Sequence, residues 1–298
     1  MNNRYSSLII GEIALDTNVD YDGTVTEAVG GAVYYAGYAA ARMGHPTAVL
    51  PKAHLTPGEL RTAFAGAPGA EVFPLRSPRS TVIRNEYHTP DRERRTATVS
   101  SVIPPYRPEE IPPVDAAVWH LAGLVRGDIP DELIPWAAAR GRVALDVQCM
   151  LRCVEDGAMV YRDWAAKREL LPYVRFLKTD AAEAEILTGT EDRAEAARLL
   201  HSWGAEEVMI THSTEILVYG GGEIHTCPLR ARNLSGRTGR GDTAFAGYLG
   251  ERLTRGIPEA LRTAAALVSL KMETPGPFRG SREDVEACLR ERYGGGTA

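Results

Sequence analysis

Apolar runs of strand length alternate with helical patterns along most of this chain. SLIIGEIALD is followed by AVYYAGYAAARMG, and TAVLPKA by PGELRTAFAG. Further on come AAVWHLAG, RVALDVQ, VRFLKTD and EEVMITHS, several of them leading into Ala- and Leu-rich helical stretches. Such alternation predicts βα repeats and a mainly parallel sheet covered on both faces, an α/β fold in a single domain over residues 1–298. Ligands of such sheets bind beyond the carboxyl ends of the strands, so functional residues are expected where strands hand over to helices.

Two segments break this rhythm. Residues 16–29, DTNVDYDGTVTEAV, alternate short apolar and polar residues around an Asp22-Gly23 turn signal and predict a hairpin. Residues 80–103, STVIRNEYHTPDRERRTATVSSVI, predict two more alternating strands joined by a charged turn. Together they predict a small β-sheet inserted in the core as a lid, with an exposed face suited to a homodimer contact. Ile103–Pro113 reads as a connector, and the glycines at 220–222, between ILVY and EIHTCP, as a hairpin turn.

Composition narrows the partners. At 298 residues and 44% hydrophobic content the chain can bury one large core without staples. A net charge of -5 repels nucleic acid and acidic membrane surfaces, leaving small molecules as the expected ligands. The start of the chain lacks the long apolar run of a secretion signal and no stretch of ~18 apolar residues follows, so a cytoplasmic location is expected. Four cysteines are too few for a disulfide framework; Cys149 and Cys153 lack the second Cys/His pair of a metal site and are expected to be ordinary thiols.

The chemistry concentrates in NLSGRTGRGDTAFAGYLG, Asn233–Gly250, where a Gly-rich turn runs into an amphipathic helix. Free N–H groups and the positive dipole end favour an anion there, and Gly239 and Gly241 would let backbone approach it closely. A Walker loop is excluded because Gly241 is followed by Asp242 rather than Lys and Ser or Thr. Gly239, Gly241 and Ala244 satisfy G-x-G-x-x-A, but too far along the chain and without a clear buried strand before them. In the third reading Asp242 is a general base beside the groups that stabilise a transferring phosphoryl; its alternative is a simple helix cap.

Thr238, Gly239, Arg240, Gly241, Asp242, Thr243, Ala244 and Phe245 resemble the T-G-A-G-D-x-F signature of the ribokinase-like (PfkB) carbohydrate kinases. VGGAVYYAGYAAARMG resembles that family's first signature, with Gly30 and Gly31 opening an Ala-rich helix. Asp16 in GEIALD corresponds to the aspartate that binds substrate hydroxyls, LDVQCMLR resembles the D-P-N-x-x-x-R segment, and KTDAAEAEILTG the K-x-N-x-x-E-x-x-x-L-x-G segment. The resemblance spans nearly the whole chain. It implies a ribokinase-like three-layer fold with a lid, and an ATP-dependent carbohydrate kinase that uses Mg²⁺ and transfers the γ-phosphoryl to an alcohol of a sugar-like molecule. Asp242, with Gly239, Arg240 and Gly241, would be catalytic, and Asp16, Gly30, Gly31 and Tyr35 would bind the acceptor. Asp180, Thr211, Ser213 and Thr238 would join the two glycines in binding ATP, while Glu183 would organise Mg²⁺ through water.

The departures from the pattern qualify these roles. Gly236 stands where a D-T-T-G-A-G-D version has its leading Asp, which removes the carboxylate of a monovalent-cation site. Asp180 replaces the usual Asn, and Ser213 and Ile216 in ITHSTEI replace the glycines of a T-L-G-x-x-G turn. Tyr34 and Tyr35 follow the Gly-Gly pair, suited to stack on a nucleoside base or flank a sugar or cyclitol ring. Arg240 either holds a phosphate oxygen or points outward to a surface carboxylate. Arg92, Arg94 and Arg95 form a solvated hairpin tip or a grip on a phosphorylated substrate. The alternatives are a nucleoside or inositol kinase of the same fold, a non-catalytic sugar- or nucleotide-binding regulator, and a nicotinamide-dependent enzyme.

Overall fold

The computed structural model describes residues 4–89 and 94–294. Arg92 therefore lies outside the described residues. Numbered along the chain, the strands of the main sheet run in space as β16 (Glu223–Pro228), β15 (Glu215–Gly220), β14 (Glu207–Thr211), β13 (Val174–Asp180), β10 (Arg142–Asp146), β9 (Ala116–Leu121), β1 (Tyr5–Glu12), β4 (Thr47–Ala53) and β5 (Ala70–Val72). Short β6 (Leu75–Arg76) also pairs with β4. Every pairing from β14 to β5 is parallel, and β15 and β16 extend the sheet as an antiparallel hairpin that turns at Gly221 and Gly222.

The expected coverage of both faces is what the strands' composition produces. In β1, Leu8 and Ile10 face one core while Ile9 faces the other, and in β10 Val143 and Leu145 part from Ala144 in the same way. A strand apolar on both faces must be buried on both, and helices supply the cover. Ala32–Arg42, Arg240–Arg252 and Ile257–Met272 pack together on one side; Ala181–Thr188 and Arg193–Ser202 lie on the other. The result is the α/β ribokinase-like arrangement of three layers.

The second sheet is larger than the sequence suggests. Its order is β11 (Arg152–Glu155), β12 (Ala158–Tyr161), β8 (Arg95–Ser101), β7 (Thr81–Tyr87), β2 (Ala14–Val19) and β3 (Val25–Gly30). The two expected hairpins are present, β2–β3 around Asp22-Gly23 and β7–β8, joined by a parallel β2–β7 pairing. The third hairpin, β11–β12, was not anticipated, because its four-residue strands follow directly on the LDVQCMLR segment and carry no clear alternation. It turns through Asp156 and Gly157, both with positive φ.

Candidate functional site

The carboxyl ends of β10, β13 and β14 meet the start of the 240–252 helix. Asp146 ends β10 and Lys178 lies in β13, adjacent in the sheet though far apart in sequence, and Lys178 Nζ sits 3.1 and 3.0 Å from the two carboxylate oxygens of Asp146. Both side chains are buried. Burial opposes the lysine's charge, but Asp146, Glu183, Asp242 and Asp180 together hold its pKa above the ordinary value. Burial pushes Asp146 up to about 6, with the Lys178 charge pulling it back and Asp242 pushing further.

Gly239 caps the helix in the left-handed conformation, φ 77°, and its Cα lies flat against a ring: a Cβ there would be 2.2 Å from Tyr35. Gly241 lies over the buried amine, its hypothetical Cβ 3.0 Å from Lys178 Cε and 3.1 Å from Nζ. The two glycines thus bring a helix N-terminus down onto a fixed ammonium. That is a strong place for a phosphoryl group. Asp242 follows in the first turn, half-buried, and Arg240 begins the helix, also half-buried. Thr211, at the end of β14, is buried with its hydroxyl 3.8 Å from that Cβ position.

The residues expected to bind nucleotide and magnesium are drawn into local structure. Asp180 caps the 181–188 helix in a reciprocal box: Glu183 N donates to Asp180 Oδ1 at 2.8 Å, and Asp180 N to Glu183 Oε2 at 3.0 Å. Glu183 also pairs with Arg152 of β11 at 3.4 Å. Burial, then the Asp180 charge, raise Glu183 to about 7. Among the described residues no three His, Cys, Asp or Glu side chains converge to hold a metal directly. Ser213 lies in the tight turn between β14 and β15, closed by His212 N donating to Glu215 O at 3.0 Å and by His212 Nδ1 2.9 Å from Thr214 Oγ1. Thr238 is exposed in the loop before the helix.

Across from the anion site stands the lid. Asp16 on β2 faces the body, and its carboxylate lies against Gly30, whose hypothetical Cβ would be 2.2 Å from Asp16 Oδ2. Burial raises Asp16 to about 6, moderated by the charges of Arg95 and Arg152. Its Oδ1 is buried without a hydrogen-bond partner. Asn18, two residues on, accepts from Asn85 of β7 at 3.2 Å. Arg95 is exposed and pairs in register with Tyr87 at the turn end of the β7–β8 hairpin, and its charge moderates the rise at Asp16. Gly31, φ 108°, must be glycine because a Cβ would lie 2.1 Å from the Glu12 carbonyl; chain meets chain there. Tyr34 is spent on edge contacts with Tyr35, Tyr38 and Phe64, and Tyr35 lies over Gly239. Burial raises the Tyr35 phenol, with Asp16 and Asp242 adding to the effect, so its hydroxyl is within the field of both carboxylates.

Asp146, Arg152 and Lys178 lie inside motif segments legible in the sequence, but their pairing needs the sheet order and the third lid hairpin. Lys271, whose Nζ donates to the carbonyls of Gly236 and Thr238, was missed altogether. Nothing in its helical context, ALVSLKMET, separates it from a surface lysine.

A lidded α/β body in which a helix start carrying Asp242 meets the buried Lys178 at the strand ends has the architecture of small-molecule phosphotransferases. Residues 116–283 match the pfkB family of carbohydrate kinases, and the chain belongs to that family. Two solved structures of a pyrophosphate-dependent kinase in the ribokinase family superpose on it. The sulfate complex has TM-score 0.86 and 35% identity, covering 94% of this chain and 99% of that one. The complex with a pyrophosphate analog and myo-inositol has TM-score 0.85 and 34% identity over the same shares. A cytidine kinase of Thermococcus kodakarensis is 29% identical over 266 residues, 84% of this chain and 89% of its own length. No helix among the described residues is long and apolar enough to cross a membrane.

Proposed function

We propose that this kinase transfers a phosphoryl group from pyrophosphate to a hydroxyl of myo-inositol or a similar cyclitol, with Asp242 taking the hydroxyl proton. The observation that carries this reading is the likeness to the pyrophosphate-dependent kinase bound to a pyrophosphate analog and myo-inositol, over nearly the whole of both chains. The site's own chemistry supports it on both sides. A donor without adenosine must be held through its phosphates, and Lys178 under Gly241 supplies fixed positive charge at the helix N-terminus, with Arg240 in the first turn adding to the local charge. The turn at 212–214 has closed on its own hydrogen bonds and lacks the glycines that would bring backbone close to a nucleotide.

The acceptor side is polar. Asp16, Asn18 and Asn85 line the lid face, suiting a ring that carries hydroxyls around its rim. A nucleoside would need an aromatic face, and both candidate tyrosines are engaged in packing. In this reading Asp16 accepts acceptor hydroxyls and the lid excludes water. N–H groups of Gly239, Gly241 and Asp242 and the Lys178 ammonium stabilise charge on the transferring group while Asp242 receives the proton. Magnesium, arriving with the donor, would be held by phosphate oxygens and, through water, by Asp180 and Glu183, and would neutralise phosphoryl charge.

The test is phosphate transfer from pyrophosphate and from ATP to myo-inositol, ribose, fructose and cytidine, with Asp242→Asn beside the wild type. The expected result is transfer from pyrophosphate to the cyclitol, lowered by about 10²–10⁴ in the variant. ATP-only turnover would reject the donor assignment; cytidine as the sole acceptor would reject the cyclitol and favour the nucleoside reading, which the Thermococcus relative supports.

A further inference from the structure

Lys271 lies at the end of the 257–272 helix, 2% exposed, and its ammonium is aimed at the loop that delivers the helix N-terminus. It donates to the carbonyls of Gly236 and Thr238, and no carboxylate lies within ion-pair distance among the described residues. An ion so buried costs several kcal/mol unless its charge is answered elsewhere. Among the described residues its direct partners are backbone oxygen and the face of Tyr35, 5.4 Å from Nζ to the ring centroid, and Asp242 answers its charge only from beyond ion-pair distance.

The loop leaves no room for another arrangement. Gly236 N donates to Met272 O at 2.7 Å, and a Cβ at 236 would lie 1.9 Å from the Thr274 carbonyl oxygen and 2.9 Å from that of Lys271. No side chain fits there, so the carboxylate of a D-T-T-G-A-G-D loop has no place, and the position from which it would hold a monovalent cation is closed. The two loop carbonyls are already turned onto a positive charge that belongs to the chain.

We propose that Lys271 is a built-in cation: its ammonium fixes the 236–238 carbonyls and so the N–H groups of residues 239–242, in place of a dissociable monovalent ion, and the enzyme requires none. An incoming phosphoryl group then adds its negative charge to the Asp242 field already acting on the buried ammonium. Lys271 is a positioning residue, acting through the loop. The inference rests on the family's phosphotransferase chemistry and on no particular donor or acceptor.

Melting and turnover of the wild type, Lys271→Ala and Lys271→Gln are compared in potassium, sodium and choline chloride at equal ionic strength. The wild type is expected to melt and turn over alike in all three. Lys271→Ala is expected to lose about 100-fold in kcat, with acceptor KM nearly unchanged, and to regain stability and turnover in potassium but not in choline. Lys271→Gln keeps hydrogen-bond donors without the charge, so it is expected to fold and still lose turnover. Potassium-dependent melting or turnover of the wild type overturns the inference, as does wild-type turnover in Lys271→Gln. The melting arm decides even if the proposed donor and acceptor prove wrong, and Lys271→Gln decides if the alanine variant fails to fold.

Discussion

Asp16 shows how a single side chain is held against its own solvation. Its Oδ1 is buried with no partner, and burial lifts its pKa to about 6 despite the charges of Arg95 and Arg152. A carboxyl group whose pKa is raised on folding makes the folded state bind more protons, so the penalty is absent below the ordinary value near 4 and fully present above about 6. Asp16→Asn is therefore expected to stabilise the protein above pH 6 by about 1–2 kcal/mol, after discounting for partial exposure, and to match the wild type below pH 4. Thermal melting across pH reads this. The same titration should appear in function: the wild-type acceptor KM rises as pH falls through about 6, whereas Asp16→Asn shows a high and flat KM. A flat wild-type KM would remove Asp16 from acceptor binding.

At the level of elements, the start of the 240–252 helix is where sequence and structure agree most closely, because everything it needs is contiguous. Gly239, Gly241 and Asp242 stand in one stretch, and the required left-handed cap and close approach follow from residue type alone. Gly239→Ala is expected to cost about 1–3 kcal/mol in backbone strain, with displacement of the Tyr35 ring adding to it. Urea unfolding measures the loss, and a variant as stable as the wild type would mean the cap relaxes freely. The Asp146–Lys178 pair was not legible in the same way. Each residue lies in a separate strand, and only parallel pairing of β10 with β13 puts them together. Lys271 was hidden further: it sits on a helix that reads as ordinary, and its role comes from carbonyls 33 and 35 residues earlier in the chain. The β11–β12 hairpin, too short for its period to register, brings Arg152 to Glu183.

Across the whole molecule, the alternation that turns Asp16 and Asn18 toward the site turns Leu15, Val25 and Val29 outward. Register places Leu15 opposite Val29 and Val19 opposite Val25, and Leu15, Val25 and Val29 are 40%, 58% and 38% exposed. Two apolar pairs, separated on that face by Thr17 and Glu27, stand on the edge hairpin β2–β3 and invite a second lid sheet. The protein is expected to sediment as a dimer, and Val25→Lys with Val29→Lys to sediment as a monomer. A monomeric wild type at micromolar concentration would leave that face without a copy of itself to cover it.

The lid is woven from three separate excursions of the chain, the strand pairs β2–β3, β7–β8 and β11–β12, and no one of them supplies the proposed acceptor site alone. Asp16 comes from the first, Asn85 and Arg95 from the second, Arg152 from the third. Acceptor preference in such a protein is not a portable loop. Grafting any single excursion onto a relative would carry a fraction of the pocket into a sheet whose other strands were shaped around a different ring, so new specificities here are reached by point changes spread over the whole lid.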